Sequence, residues 1–368
     1  MSDLPVLPPL LILALAFGVA WLMAPLMERV ARRYGFMDRP HPRRDAVLKP
    51  RLGGVAMYAA FAVALAATAP LVSRDAAEVQ KVVGILVGGA IVLVVGVIDD
   101  WLELPPLPLL AAQVLAAAVA IAAGVVITAV TNPFGDPLTN SMLLFPAGAA
   151  LLFTVFWIVG AMNTINFLDG VDGLAAGVGA IAAAVLGVHS LLMGQYSIAA
   201  LAAALAGCCL GFLPHNFFPA RSIMGTSGAG FLGFALGTLA IIGGAKTATL
   251  LLVLGLPIVD TGWAILRRLA AGRSPFVGDR GHLHLVLVDL GWSPAQIVLL
   301  MYGVSGTLGA LALVLASRMQ KLIAIGGMTV LLVVGLMLVA QVRGRTPAGR
   351  PHAGALESMD PPKPPRSW

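Results

Sequence analysis

The stretch Asn163-Thr-Ile-Asn166-Phe-Leu-Asp169-Gly-Val-Asp172-Gly-Leu174 is a polar block between two long apolar runs, roughly 147–162 and 173–192. Carboxylates and amides at the mouth of a membrane helix are costly to place there without a use. Each Asp-Gly pair favours a tight turn, because glycine tolerates a positive φ. The block therefore predicts a turn that aims carboxylates and backbone N–H groups at one small polar ligand. The plainer alternative is a surface loop whose Asp172 caps the next helix.

Apolar runs of about twenty residues recur along the whole chain. Of its 368 residues, 59% are hydrophobic and only 11% are charged, and the mean hydropathy is +0.94. This composition is typical of helices that cross a bilayer. We predict an all-α polytopic membrane protein with about eleven transmembrane helices. The predicted spans lie near 6–28, 54–73, 81–98, 108–128, 144–162, 173–192, 196–213, 229–244, 247–266, 296–316 and 321–342.

The distribution of basic residues predicts how these helices are oriented. Alternate loops, from 29–53 to the C-terminal tail, hold 18 of the 23 lysines and arginines. By the positive-inside rule these loops face the cytoplasm, which places the N-terminus outside and the C-terminus inside a cell inner membrane. The net charge of +6 then reflects topology. Since few aromatic residues accompany the basic ones, we expect no nucleic-acid partner.

The chain shows no second domain and no clear internal repeat. We predict a single transmembrane domain over 1–342 and a disordered, Pro/Arg-rich cytoplasmic tail over 343–368. The adjacent Cys208 and Cys209 lie in an apolar run and are expected to be packed thiols. A homodimer is one assembly that the sequence allows, and no sequence feature decides the oligomeric state.

The polar clusters that suggest chemistry all fall on the predicted cytoplasmic side. They are Asp99-Asp100, the 163–174 block, His215-Asn216 with Gly225-Thr-Ser-Gly228, and the stretch from Asp260 to His284. A transporter would be expected to place polar residues near the bilayer midplane. Clusters at helix ends instead favour a surface site where a water-soluble molecule meets a lipid-embedded one. Transport remains the less favoured alternative.

Asp99 and Asp100 stand at the end of the third predicted span. Two neighbouring carboxylates can bind Mg²⁺, or one can take a proton while the other binds the metal. The plainer alternative is a charged stop at the membrane surface. The metal interpretation gains weight because Asp169, Asp172 and Asp260 are predicted at the same membrane level.

Two further stretches have the composition of phosphate-binding sites. Gly225-Thr-Ser-Gly228 precedes a predicted span, and backbone N–H groups at such a turn can cradle phosphate, although small residues also serve helix packing. The loop from Arg267 to His284 contains arginines and the pair His282-Leu-His284, which can clamp a diphosphate. The alternatives for this pair are a metal ligand set or a polar loop, and no third close ligand supports a zinc site.

Taken in order, five stretches resemble the polyprenyl-phosphate N-acetylhexosamine-1-phosphate transferase family. Its bacterial members start the lipid intermediates of peptidoglycan, teichoic acid, O-antigen and arabinogalactan. The resemblance runs from about Asp38 to Leu290, and the predicted topology also matches this family. The stretches are Asp38-Arg-Pro with Pro50-Arg-Leu-Gly-Gly54, Val97-Ile-Asp99-Asp100, the 163–174 block, Gly211-Phe-Leu-Pro-x-Asn216 with Met224-Gly225, and Pro257-x-x-Asp260 with Asp279-Arg-Gly-His282-Leu-His284.

The resemblance implies a reaction and its partners. A UDP-N-acetylhexosamine, with N-acetylglucosamine as our first choice of sugar, gives its sugar 1-phosphate to a polyprenyl phosphate such as undecaprenyl or decaprenyl phosphate. UMP is released, and a lipid-linked sugar diphosphate remains in the membrane. Mg²⁺ is the implied cofactor, and the reaction is implied to be the first membrane step of a cell-envelope glycan pathway.

The resemblance also implies roles for individual residues. Asp99 is expected to deprotonate or orient the lipid phosphate, with Asp100 beside it as the second catalytic carboxylate. Asp169 and Asp100 are expected to hold Mg²⁺. The residues expected to bind substrate are Asn163, Asn166, Asp172, Asn216, Asp260, Arg280, His282 and His284.

The chain departs from the family pattern at three places. Thr226 stands where many members carry an aspartate that binds Mg²⁺, the first basic loop reads Arg43-Arg44-Asp45-Ala46 without the family's histidine, and the histidine cluster is reduced to His282-Leu-His284. Either another acid completes the metal shell, or the metal is bound through water, or the protein is not catalytic. In the last case it is a membrane protein that binds polyprenyl phosphate or a nucleotide sugar.

Overall fold

The computed structural model describes residues 7–38, 48–72, 75–132, 142–244, 246–272, 282–315 and 317–345. The described chain is almost entirely helical. A short antiparallel hairpin pairs β1 (Ala129–Thr131) with β2 (Met142–Leu144), and a 3-10 turn follows the second helix. The helices are α1 (Leu7–Tyr34), α2 (Gly53–Ala67), α3 (Ala76–Leu102), α4 (Pro106–Ala122), α5 (Ala147–Leu168), α6 (Leu174–Leu192), α7 (Tyr196–Asn216), α8 (Gly225–Ile242), α9 (Thr247–Val253), α10 (Gly255–Ala270), α11 (Leu283–Asp289), α12 (Pro294–Val314) and α13 (Arg318–Arg345).

Eight of the described helices are long and apolar enough to cross a membrane, or nine spans if the bent pair α9–α10 counts as one. Helices α2 and α4 are apolar but shorter, at 15 and 17 residues. Every predicted span overlaps at least one of these helices, so the all-α polytopic fold is confirmed. The number of eleven crossings and the sides of the two termini stay predictions. Of the predicted tail, 343–345 continue α13 and the remainder lies outside the described residues.

The span predicted over 247–266 is not one continuous helix but the bent pair α9–α10. The chain breaks at Leu254, and the axes of α9 and α10 differ by 79°. Pro257 in the first turn of α10 has no N–H with which to continue the hydrogen bonds of α9, and such residues bend helices. Beyond the bend, Asp260, Ala264 and Arg268 are buried. Their spacing of four residues places them on one face of α10, so this helix carries a polar face into the protein.

Helix α8 is the centre of the bundle, and nearly all of its 18 residues are buried. Its neighbours approach through glycines: a Cβ on Gly54 would lie 2.2 Å from the backbone nitrogen of Gly228, and one on Gly96 would lie 2.4 Å from Cα of Ser227. Close packing of small residues is the means of association available in a bilayer, where water does not drive apolar helices together. These contacts bring the ends of α2, α3 and α8 to one place.

The outer surface of the bundle carries many exposed large apolar side chains, for example Leu22 on α1, Val94 on α3 and Leu152 on α5. A soluble monomer rarely exposes such a continuous apolar surface. The helices therefore present a lipid-facing exterior, as expected for a multi-pass membrane protein.

A buried lysine follows the far end of α8. Lys246 donates a hydrogen bond to Gln195 Oε1, and its burial lowers the pKa of the ammonium to about 8. The cause is the loss of water around the charged form. One full helix length separates this cation from the polar residues at the start of α8, so it takes no part in the site described below.

Candidate active site

Two carboxylates that are adjacent in sequence have different surroundings. Asp99 and Asp100 lie inside the last turn of α3, and Asp100 is only 4% exposed. The Asp100 carboxylate accepts hydrogen bonds from the N–H of Thr226 at 2.8 Å and from Ser227, through its N–H at 3.2 Å and its hydroxyl at 2.8 Å. The first N–H groups of a helix lack internal partners and carry partial positive charge. Asp100 therefore holds the N-terminus of α8.

This contact corrects the predicted phosphate cradle at Gly225-Thr-Ser-Gly228. These residues form the first turn of α8, and the N–H groups of Thr226 and Ser227 already donate to Asp100. Gly225 has φ +70°, and a Cβ there would lie 2.5 Å from a carboxylate oxygen of Asp100. Glycine is required on both counts, because other residues resist this φ and have no room beside the carboxylate.

Asp99 is half-buried and, within the described residues, makes no hydrogen bond to α8. Its Oδ1 accepts the N–H of Leu104 at 2.8 Å, a contact that closes the turn after α3. Within the described part of the chain, its Oδ2 has no hydrogen-bond partner. Asp99 thus keeps one oxygen for a ligand, whereas Asp100 is engaged with the protein.

The first half of the polar block is helical, because α5 continues to Leu168. The prediction of a loop from 163 is therefore wrong, and Asn163 and Asn166 lie in the last turns of α5. The Asn163 side-chain amide donates to Gln113 Oε1 at 2.9 Å and to the carbonyl of Val159 at 2.8 Å. This amide joins α5 to α4, and its predicted contact with substrate stays a prediction.

The second half of the block is tied to two other loops. Asp172 forms a 2.6 Å ion pair with Lys49 and accepts the N–H of Ala220 at 3.0 Å. Asn216, at the end of α7, is buried: it accepts the N–H of Gly173 at 3.2 Å and donates to the carbonyl of Ser222 at 3.1 Å. The predicted site residues Asp172 and Asn216 thus lie in one connected region.

Asp260 fixes the start of α11. Its Oδ1 accepts the N–H of Leu283 at 2.8 Å, and its Oδ2 lies 2.9 Å from Nδ1 of His282. The carboxylate favours a proton on Nδ1, which leaves Nε2 of the neutral ring as an acceptor. Arg268 approaches this nitrogen, with Nη2 3.5 Å away. All three side chains are buried, so the position of the imidazole is defined from both sides.

The two histidines meet the polar block through stacked rings. Phe167 stacks on His282 with ring centroids 5.1 Å apart, and His282 stacks on His284 at 5.8 Å. On the far side of the stack, a Cβ on Gly170 would lie 2.6 Å from Nε2 of His284. The polar block and the histidine pair, which are far apart in sequence, therefore form one site, in agreement with their predicted positions on one side of the membrane.

The donor chemistry of this region can be compared with the needs of Mg²⁺. No group of three His, Cys, Asp or Glu side chains is arranged around a metal position within the described ranges. Mg²⁺ needs fewer, because it is commonly bound by one or two carboxylates together with water and substrate phosphates. Asp99 and Asp169 supply carboxylate oxygens, the type of ligand that Mg²⁺ prefers. A metal role for Asp100 stays a prediction, and all of its hydrogen bonds seen here are to α8.

Some residues of the site were not predicted, and one predicted residue is not described. Arg280 lies outside the described residues, and so do residues 43–46, where the sequence departs from the family pattern. Lys49 and the ring of Phe167 were missed as site residues, although Phe167 stands inside the quoted block. The arginine-rich loop gave a signal for Arg268, whereas nothing in the sequence pairs Lys49 with Asp172.

Comparison with known proteins defines the class. Residues 82–244 match the family model described as Glycosyl transferase family 4. Together with the relatives below, this match shows that the chain belongs to glycosyl transferase family 4, and the resemblance seen in the sequence motifs is confirmed.

The similarity to individual relatives extends over most of the chain. It is 35% identical over 314 residues to the decaprenyl-phosphate N-acetylglucosaminephosphotransferase of Mycolicibacterium smegmatis, covering 78% of this chain and 75% of the relative. It is 31% identical over 331 residues to the probable undecaprenyl-phosphate N-acetylglucosaminyl 1-phosphate transferase of Bacillus subtilis, covering 88% of each. A phospho-N-acetylmuramoyl-pentapeptide-transferase of Synechococcus is 32% identical over 339 residues, covering 84% of this chain and 88% of the relative.

Proposed function

We propose that this protein transfers N-acetylglucosamine 1-phosphate from UDP-N-acetylglucosamine to a polyprenyl phosphate in the cell inner membrane. The names of the Mycolicibacterium and Bacillus relatives support the sugar and the lipid. The observation that carries the proposal is a set of contacts at one end of the bundle. Phe167 at the end of α5 stacks on His282 before α11, and Asp172 is bound to Lys49, whose neighbour Pro50 is bound to Ile223 just before α8. The start of α8 is held by Asp100, the residue after Asp99. Acidic and imidazole groups at the end of a membrane bundle suit a reaction between a soluble nucleotide and a lipid phosphate.

The chemistry is a phosphoryl transfer between two anions. An oxygen of the lipid phosphate forms a bond to the sugar-bearing phosphorus, and the bond from that phosphorus to the bridging oxygen breaks. The bridging oxygen leaves with UMP. Because both reactants are negatively charged, the protein must align them and offset their repulsion.

Each part of the site has a proposed task in this reaction. Asp99 orients the lipid phosphate through its open Oδ2 and accepts a proton when the phosphate carries one. Asp260 holds His282 so that Nε2, with Arg268 beside it, faces the donor side. Arg280 and His284 are proposed to bind the donor diphosphate together with His282.

A metal ion completes the proposal. When bound, Mg²⁺ supplies positive charge that stabilises the phosphates in the transition state. Asp169 is the carboxylate that we propose to hold it, with water and the phosphates as further ligands. The distribution of basic residues among the loops supports a site on the cytoplasmic face, where UDP-sugars are found.

Product formation by the purified protein tests the proposal. The protein in lipid nanodiscs is incubated with UDP-N-acetylglucosamine, decaprenyl phosphate and Mg²⁺, and UMP and lipid-linked sugar are measured. We expect UMP release that requires both substrates and stops in Asp99→Asn. Parallel reactions with UDP-N-acetylgalactosamine and UDP-N-acetylmuramoyl-pentapeptide test the sugar, since the Synechococcus relative is named for the latter.

Other outcomes identify other functions. Saturable binding of UDP-sugars without UMP release from any pair of substrates would contradict the enzyme and indicate a binding protein. Sugar or lipid that accumulates inside vesicles without UMP release would indicate a transporter.

A further inference from the structure

An ion pair links the first cytoplasmic loop to the polar block. Lys49 Nζ lies 2.6 Å from Asp172 Oδ2, and each side chain is only 14% exposed. The same carboxylate oxygen accepts the N–H of Ala220 at 3.0 Å. In the part of the chain described, Oδ1 of Asp172 has no hydrogen-bond partner. The pair thus fixes one oxygen of Asp172 and leaves the other open.

The backbone beside Lys49 is restrained on both sides. The carbonyl of Lys49 accepts the N–H of Asp38 at 2.7 Å, and the carbonyl of Pro50 accepts the N–H of Ile223 at 2.9 Å. A lysine on a fixed backbone loses less conformational freedom when it pairs than one on a free loop. The ion pair is therefore unlike an exposed surface pair, which typically contributes little.

Further hydrogen bonds connect Asp172 back to the segment that carries Lys49. From Asp172 the chain passes to Gly173, whose N–H binds Asn216, and Asn216 donates to the carbonyl of Ser222. The next residue, Ile223, binds Pro50, which follows Lys49. The segment at Lys49–Pro50, the turn at Asp172–Gly173 and the segment from Asn216 to Ile223 are thereby held together at one end of the bundle.

We propose that Lys49 is a positioning residue for the sugar-nucleotide donor. Its ammonium holds Asp172 so that Oδ1 faces the donor, and its charge offsets the repulsion between Asp172 and the donor diphosphate. This inference rests on the proposed function, in which Asp172 binds the donor. It adds a cation to the donor site that neither the motifs nor the relatives' names assign.

The chain offers a matched control on the same segment. Arg51 Nη2 and Asp38 Oδ1 also form a 2.6 Å ion pair, with side chains 24% and 18% exposed. This pair joins two parts of the first cytoplasmic loop. Asp38→Asn therefore removes a comparable ion pair without removing a contact to the polar block.

Steady-state kinetics of five variants test the proposal. We expect Lys49→Met to raise KM for UDP-N-acetylglucosamine about tenfold, with kcat and KM for the lipid changed less than about threefold, as for partners that orient a binding group. Lys49→Arg keeps the charge and should stay within about threefold of wild type. Asp38→Asn should leave the donor KM unchanged. Lys49→Met combined with Asp172→Asn should be no worse than Asp172→Asn alone, because Lys49 acts through Asp172.

Equal shifts in Lys49→Met and Asp38→Asn would overturn the proposal, since they would show only a general effect on the loop. Independent, multiplicative losses in the double variant would also overturn it. Binding of UDP-N-acetylglucosamine, measured by calorimetry without the lipid, separates this test from that of the enzyme. If wild type releases no UMP, the proposed function fails, and weaker binding by Lys49→Met than by Asp38→Asn still supports the role of Lys49.

Discussion

Two buried aspartates each hold the start of a following helix, and they do so differently. Asp100 directs its observed hydrogen bonds to α8, through the N–H groups of Thr226 and Ser227 and the Ser227 hydroxyl. Asp260 uses one oxygen for the N–H of Leu283 in α11 and the other for the imidazole of His282. The two carboxylates have similar burial, at 4% and 7% exposure.

This difference indicates a structural role for Asp100 and a role in the reaction for Asp260. The α3–α8 junction is built from backbone N–H groups and from glycines that admit no larger side chain, so its parts have little freedom to move. At the α10–α11 junction the Asp260 carboxylate binds one backbone N–H and also orients an imidazole ring, whose second nitrogen remains available as a hydrogen-bond acceptor. Loss of Asp100 should therefore appear in stability, and loss of Asp260 in turnover.

The largest effect is expected at Asp99, the carboxylate that holds no helix. Asp99→Asn should lower kcat by about 1,000-fold, because the open Oδ2 loses its charge and its ability to take a proton. The melting temperature should change little. UMP release and thermal unfolding measured on the same preparation check both statements.

Asp75 is the matched control for Asp99, since it lies at the other end of α3 and caps that helix through the N–H of Glu78 at 2.7 Å. Asp75→Asn should keep its turnover. A similar loss of turnover in both variants would mean that charge on α3, and not the position of Asp99, supports the reaction.

A smaller effect is expected at Asp260. Asp260→Asn should lower kcat about 10- to 100-fold, because an amide no longer fixes the Nδ1 proton and the orientation of His282. The effect should depend on His282, so His282→Gln with Asp260→Asn should be no slower than His282→Gln alone. Additive losses in the double variant would show that Asp260 does not act through His282. The contrast between Asp100 and Asp260 would then fail.

Asp100→Asn should instead destabilise the protein, by about 2 kcal/mol, since it weakens a charged contact at a helix start. Turnover per folded molecule should fall by less than about threefold, as for a change away from reacting groups. Thermal unfolding in detergent, with activity normalised to folded protein, measures both. A large loss of kcat with unchanged stability would place Asp100 among the reacting groups and erase the contrast with Asp260.

The helices and the polar block could be predicted from the sequence for physical reasons. A bilayer requires long apolar helices, so hydropathy alone locates the spans, and polar groups at their ends are rare enough to mark a site. Helix ends were less predictable, because the last turns of α3 and α5 carry polar residues that resemble a loop. The predicted spans therefore ended at 98 and 162, whereas Asp99, Asp100 and Asn163 lie within the helices.

Partners across the fold could not be predicted. Neighbouring aspartates look equivalent in sequence, and only the packing of Gly96 against Ser227 decides that Asp100 meets α8. The Lys49–Asp172 pair joins residues 123 positions apart. The bend at Leu254 had a local signal in Gly255 and Pro257, but the apolar run around them indicated only that the segment is a membrane span.

The smallest expected effect sharpens the comparison at the α8 junction itself. Thr226 donates its N–H to Asp100 Oδ1 at 2.8 Å, so an aspartate at this position adds a second carboxylate beside the first. Neighbouring like charges repel unless a cation lies between them. Thr226→Asp should therefore unfold at a lower temperature than wild type without Mg²⁺, and its unfolding temperature should recover when Mg²⁺ is added.

The Mg²⁺ concentration for half-maximal UMP release by Thr226→Asp should fall about threefold, because added carboxylate charge strengthens binding of a hard cation. Thr226→Asn has the same size without the charge and should show neither change. If Thr226→Asp and Thr226→Asn respond alike to Mg²⁺, the metal is held away from the start of α8, and the α3–α8 junction is structural throughout.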